Sequence, residues 1–233
     1  MFKIDPHIHT SETSPCAAVP GAIMANQCKQ AGYDAIIITD HYSVRSIDFF
    51  RPGSWEYQVD QLLAGYRAAK THGDQIGLTV LFGIEYTNFE TYNDYLIYGV
   101  TEKFLLTHPG LHEMPMEIAW PLFKKQGCFI VQAHPFRPGM TPLGSTCLDG
   151  IEAFNANMRH DSHNDKSLAW AKEHNLLPTA GSDSHQLEDV GRAGLELERP
   201  VATIDEFITA LRSKKYRMFT HDPSFFNLMI DKF

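Results

Sequence analysis

An α/β barrel is the fold class this sequence predicts, and three observations carry that expectation. Short apolar runs rich in β-branched and aromatic residues alternate with longer stretches of helical period, the pattern of successive βα units around a parallel sheet. A chain of 233 residues with 43% hydrophobic content is long enough to bury a barrel-sized core as one domain over residues 1–233. Nearly every apolar run ends in a polar side chain able to bind a cation, and a parallel barrel gathers its strand ends at one rim.

In chain order, the pattern predicts strands over residues 2–9, 34–39, 78–86, 95–100, 128–133, 150–155 and 177–181. Seven strands result. Met24, Cys28 and Ala31 make one helical face closed by Gly32, and Trp55, Val59, Leu62, Leu63 and Tyr66 make a second. Pro121 is expected to kink or restart a helix between Met116 and Gly127. Thr203 and Glu206 read as a capping box ahead of Ile204, Phe207, Ile208 and Leu211.

Composition narrows the function classes. With 28 acidic against 20 basic residues and a net charge of -8, a nonspecific duplex-binding surface is disfavoured. No run of eighteen apolar residues occurs, and the first residues lack the pattern of a secretory signal, so a cytoplasmic protein with no membrane partner is expected. Cys16, Cys28, Cys128 and Cys147 form no CxxC pair, which fits a reducing compartment and suggests neither a zinc knuckle nor a disulfide framework.

Chemistry concentrates at the expected rim. His7 and His9 alternate along a strand and so project to one face, where two imidazoles can share a cation. Asp40-His41 follows the buried-type run Ala35-Ile36-Ile37-Ile38-Thr39, and a charged pair there needs a partner or a metal. Glu85 follows Val80-Leu81-Phe82-Gly83-Ile84, and its carboxylate suits a bridge between two cations. His134 stands before Pro135, which fixes the exit of its loop. Asp183 and His185 leave one turn after Gly181. Arg137, Asn155 and Arg159 stand on rim loops as candidate substrate-binding groups, the arginines suited to a phosphate. Asp40, His134 and Asp183 are the candidate catalytic residues, Asp40 more as a group that fixes an imidazole than as a ligand.

The ordered series HxH, Asp-His, Gly-Ile-Glu, Ala-His-Pro and Gly-Ser-Asp-Ser-His resembles the polymerase and histidinol phosphatase (PHP) superfamily of metal-dependent phosphoesterases, over about residues 3 to 197. The resemblance implies a distorted seven-stranded (β/α)7 TIM-like barrel holding two or three divalent ions, with zinc, manganese and iron as candidates. It also implies ligand sets. His7, His9, Glu85 and Asp183 would hold one ion, Glu85 and His134 a second, and His41 and His185 a third. Where the family places a His or Asp seven or eight residues after the first histidine, this chain has Ser14 and Pro15, with Glu12 the nearest substitute. Where members often place a histidine after the glutamate, Asp94 is the candidate replacement and His108 a distant alternative.

A phosphomonoesterase acting on a small phosphorylated metabolite is the function these features favour, because paired cations suit hydrolysis of a phosphate ester without a side-chain nucleophile. A nuclease acting on nucleic acid ends and a non-catalytic metal- or partner-binding barrel are the rival readings. A C–N hydrolase is a further alternative, since fold alone does not fix the substrate. Specificity is expected from the loops over residues 43–55 and 138–147.

Overall fold

The computed structural model describes residues 1–49, 51–87 and 91–221. All seven expected strands form: β1 (Phe2–Ile8), β2 (Ala35–Ile38), β4 (Thr79–Thr87), β5 (Asp94–Tyr98), β6 (Phe129–Gln132), β7 (Gly150–Asn155) and β8 (Leu177–Gly181). Three more were not expected, namely β3 (His41–Tyr42), β9 (Ala193–Leu197) and β10 (Tyr216–Thr220). The sheet runs in the order β10-β9-β1-β2-β4-β5-β6-β7-β8, with β3 paired to β4.

Its pairing departs from a purely parallel barrel. β1, β2 and β4 run parallel, as do β6, β7 and β8, but β5 lies antiparallel between β4 and β6. The cause is loop length: only residues 88–93 join β4 to β5, too few for the dozen-residue crossover a parallel pair requires. On the other flank, β9 pairs antiparallel with β1 and β10 with β9.

The sheet curls into a nearly closed barrel whose two flanks meet at β1 and β8. At the rim, the contact is a parallel bridge between Ile8 and Ser184, where the His9 N–H donates to the Ser184 carbonyl at 2.9 Å. Below it, the Tyr216 hydroxyl on β10 donates to the Pro178 carbonyl of β8 at 2.9 Å.

The helices are α1 (Gly21–Gln30), α2 (Trp55–Leu62), α3 (Ala64–Ile76), α4 (Glu102–Leu106), α5 (Met116–Gln126), α6 (Asn164–Glu173) and α7 (Ile204–Arg212). Met24 and Cys28 of α1 are fully buried against Ile36, Ile38 and Val80, as the helical face predicts. The pattern from Trp55 to Tyr66 divides at Leu63 into α2 and α3. Pro121 does not interrupt α5, because it and Glu117, whose carbonyl it leaves unbonded, both sit on the exposed side. The Thr203–Glu206 capping box opens α7, and Phe207, Ile208 and Leu211 then pack with Ile4, Ala35, Val131 and Ala153. α7 thus fills the barrel at the end opposite the rim, leaving the rim to polar side chains.

α1 and α3 cross at very close range. A Cβ on Gly21 would lie 2.4 Å from the Gly65 carbonyl, and one on Gly65 would lie 1.8 Å from Thr10 Oγ1. Two glycines therefore let this helix pair sit directly against the turn that follows β1.

Candidate metal centre

β1 delivers His7 and His9 to the rim, β4 delivers Glu85, and the turns after β6 and β8 deliver His134 and Asp183. All five side chains are buried. His7 Nε2 lies 3.1 Å from His9 Nε2, 3.2 Å from Glu85 Oε1 and 3.3 Å from Asp183 Oδ1. His9 Nε2 lies 3.3 Å from the same Asp183 oxygen and 3.5 Å from Glu85 Oε2. Glu85 faces further imidazoles, with His134 Nε2 at 3.1 Å and His41 Nδ1 at 2.7 Å. Asp94 Oδ2 stands 3.9 Å from His134 Nε2.

The backbone is strained at two of these positions. His134 has φ 29° and Asp183 has φ 52°, in the left-handed region that side-chain-bearing residues rarely adopt.

An outer layer of acceptors sets the imidazole tautomers. His7 Nδ1 donates to Glu152 Oε1 at 2.8 Å. The Ser14 hydroxyl donates to Asp40 Oδ1 at 2.6 Å, so the His9 Nδ1 contact with Ser14 Oγ at 3.2 Å is a donation from the ring. His134 Nδ1 faces the Met140 thioether at 3.2 Å. Each of these rings turns its Nδ1 outward to an acceptor and its Nε2 to the centre, the arrangement by which metal-ligating histidines are oriented. His7 Nε2 and His9 Nε2 then lie 3.1 Å apart between two carboxylates, which favour a positive charge, a proton or a cation, at this point. A divalent ion would take the place of the His7 Nε2 proton there, and a set of buried imidazoles and carboxylates fits the ions the sequence implies.

Electrostatics agree. Burial pushes Glu85 and Asp183 up, but His41 and His7 around the first, and His7 and Arg137 around the second, hold both carboxyls well below the usual range. Burial would depress His7, yet Glu152, Asp183 and Glu85 carry it well above its ordinary value. His9 goes the other way, lowered by burial and by neighbouring His185 and His41. Burial raises Asp94 to about 6, with Glu85 adding to it.

Four groups of donors converge closely enough to hold an ion around this rim: His7, His9 and Glu85; His7, His134 and Asp183; Glu85, Asp94 and His134; and His9, His41 and His185. The structure therefore gathers His7, His9, His41, Glu85, Asp94, His134, Asp183 and His185 in one place. Glu12 is not among them. Both its oxygens accept the Gly21 N–H at the start of α1, at 2.9 and 3.0 Å, which turns the carboxylate away from the rim.

The three groups expected to bind substrate are engaged within the protein. Arg137 Nη2 donates to Asp183 Oδ2 and to Asn155 Oδ1, and Asn155 Nδ2 donates to Asp183 Oδ2 and to Glu152 Oε2. Arg137 and Asn155 thus brace Asp183 from behind. Arg159 forms a two-pronged pair with Asp189 at 2.8 and 2.6 Å, and Asp189 in turn accepts the His185 and Gln186 N–H groups. Asp40 holds the Thr10 N–H, the Thr10 hydroxyl and the Ser14 hydroxyl, and burial raises it to about 6 against those bonds.

Sequence reasoning missed Glu152 and Cys16. Glu152 is a buried carboxylate in the middle of β7, and a charge inside an apolar strand is the signal that marks it. Cys16 Sγ lies 3.1 Å from His41 Nε2. Burial raises its thiol, but hydrogen bonds with His185 and His41 bring it down to about 6. A cleft of about 590 Å³ opens beside these residues, lined by Cys16, His41, Ser43, Arg45, Tyr92 and Asp94.

Residues 161–216, which carry Asp183 and His185, match the PHP_C family, described as PHP-associated. A two-domain protein from Bacteroides vulgatus ATCC 8482, containing a predicted PHP-like metal-dependent phosphoesterase, superposes with TM-score 0.70 at 18% identity, over 94% of this chain and 65% of that one. PsfC from Pseudomonas syringae PB-5123 is similar with TM-score 0.69 at 19% identity, over 96% and 93% of the two chains. An amidohydrolase from Chromobacterium violaceum with bound sulfate gives TM-score 0.56 at 17% identity, over 95% and 99%. These likenesses establish a shared fold. No curated protein matches the sequence. Among the described residues, no helix is long and apolar enough to cross a membrane.

Proposed function

We propose that the chain is a member of the PHP superfamily and a metal-dependent phosphoesterase hydrolysing a small phosphorylated metabolite. The observation that carries this reading is the convergence of the His7 and His9 Nε2 atoms with the Glu85 and Asp183 oxygens, at separations of 3.1 to 3.5 Å. His7, His9, Glu85 and Asp183 would hold one ion, and Glu85, Asp94 and His134 a second. Such ions, when bound, supply the Lewis acidity that phosphate ester hydrolysis needs.

The protein's own part is positioning. Glu152 and Ser14 hold the rings of His7 and His9, while Arg137 and Asn155 hold Asp183. The neighbouring cleft is of a size for a small ligand rather than a polymer, and Arg45 places a cation on its wall. Similarity to an amidohydrolase makes C–N bond hydrolysis the competing outcome.

A panel of phosphomonoesters, assayed with added manganese or zinc, tests the proposal. Phosphate release by the metal-loaded protein and none by His9→Ala is the expected result. Metal-loaded protein that releases no phosphate from any substrate, and behaves as His9→Ala does, would remove hydrolysis of phosphate esters from consideration.

A further inference from the structure

We propose that Cys16 is itself a metal ligand, its sulfur joining the Nε2 atoms of His41 and His185 in a mixed sulfur–nitrogen site suited to a soft divalent cation of the zinc class. The inference rests on the reading of the rim as a metal centre, and it names a ligand that the motif series does not supply.

His185 Nδ1 lies 2.9 Å from the Asp183 carbonyl, which can only accept, so that nitrogen carries the proton and Nε2 carries the lone pair. His41 Nδ1 lies 2.7 Å from Glu85 Oε2, and that contact leaves the His41 Nε2 pointing outward. The Cys16 sulfur is 3.1 Å from that His41 nitrogen and within hydrogen-bonding reach of His185. Two imidazoles, each fixed from behind by an acceptor at Nδ1, therefore stand beside one sulfur, where an ion would replace the protons they share with it.

The backbone holds this sulfur in place. The Ala17 N–H donates to the Ser14 carbonyl at 3.0 Å, and the Ala18 N–H donates to the His185 carbonyl at 2.9 Å. Cys16 is thereby tied on one side to the turn after β1 and on the other to the turn carrying His185. Neither alternative ligand is at hand: Glu12 is bound to the Gly21 N–H, and the Ser14 hydroxyl donates to Asp40.

A thiolate changes what the site prefers. Sulfur and imidazole donors select zinc-type ions, whereas the carboxylate-rich pair around Glu85 and Asp94 favours harder ones such as manganese. The chain would then hold a soft ion at the cleft mouth and harder ions deeper in the rim.

Cobalt(II) loading reads this directly, since a thiolate bound to cobalt gives an intense near-ultraviolet charge-transfer band independent of any activity. The band is expected in the wild-type protein and in Cys147→Ser, and absent in Cys16→Ser, which should also bind one of its ions at least about 10-fold more weakly. Cys16→Asp should retain that ion without the band. A cobalt-loaded wild-type protein with no band, or a band that survives in Cys16→Ser, overturns the proposal. Protein that loads cobalt and releases phosphate without the band defeats the cysteine ligand alone. Failure to take up any cobalt defeats both readings.

Discussion

Glu152 takes the Nδ1 proton of His7 with one oxygen at 2.8 Å and the His134 backbone N–H with the other at 3.0 Å, so one carboxylate sets two candidate ligands. Glu152→Gln preserves the shape but withdraws the charge that raises His7. Metal affinity should fall roughly 10- to 100-fold, the usual effect of losing such an outer partner, while circular dichroism stays unchanged. Titration with a competing chelator measures it.

Asp5 makes folding stability depend on pH. Its Oδ1 accepts the His7 and Ser182 N–H groups, its Oδ2 has no partner, and burial pushes it up to about 7. In the unfolded chain an aspartate titrates near ~4, so the folded state prefers the proton across the interval. The stabilisation is complete below ~4 and is lost as pH rises through about 7, on the order of 4 kcal/mol in all. Asp5→Asn, which cannot ionise, should flatten this dependence and exceed the wild type in stability at pH 8. Urea unfolding of the metal-free protein at pH 5 and pH 8 decides the matter.

Arg159 and Asp189 separate a structural role from a substrate role. Because Arg159 is spent on Asp189, Arg159→Ala should leave KM for a phosphate ester within about 3-fold, whereas removing a guanidinium that bonds the phosphate directly would raise it by about 10-fold or more. Asp189→Ala removes the acceptor for the His185 and Gln186 N–H groups and should cost about 1–3 kcal/mol in denaturation experiments.

Gly181 permits the packing behind His7. A Cβ there would lie 2.6 Å from His7 Cβ and 2.9 Å from Glu152 Oε1. Gly181→Ala should therefore destabilise the fold by about 1–3 kcal/mol and weaken metal binding at the same time. A variant with wild-type melting temperature and wild-type metal affinity would contradict this.

Most of the rim is legible in the sequence because of the strand period. His7, His9, Glu85 and His134 each end a β-branched or aromatic run, and alternation aims their side chains to one face. The parallel strands are legible for the same reason. β5 is legible as a strand but not in its direction, although the short 88–93 connection holds that information. β10 is hidden by its edge position, and β9, between β1 and β10, by Gly194 and Glu196 within its short apolar run. The fates of Glu12, Asn155, Arg159 and Cys16 depend on hydrogen bonds to residues elsewhere in the chain, which spacing does not encode. Arg159 and His185, for instance, meet only through Asp189.

The bridge between Ile8 and Ser184 has a mechanical meaning. On one side of it stand His7 and His9, on the other Asp183 and His185, so any ion shared by these groups acts as a rivet across the seam of the hoop. Occupancy and barrel integrity are then one thermodynamic quantity, and each tenfold rise in free ion above its dissociation constant adds about 1.4 kcal/mol to folding. Removal of an ion bound there would loosen the barrel where its two flanks join.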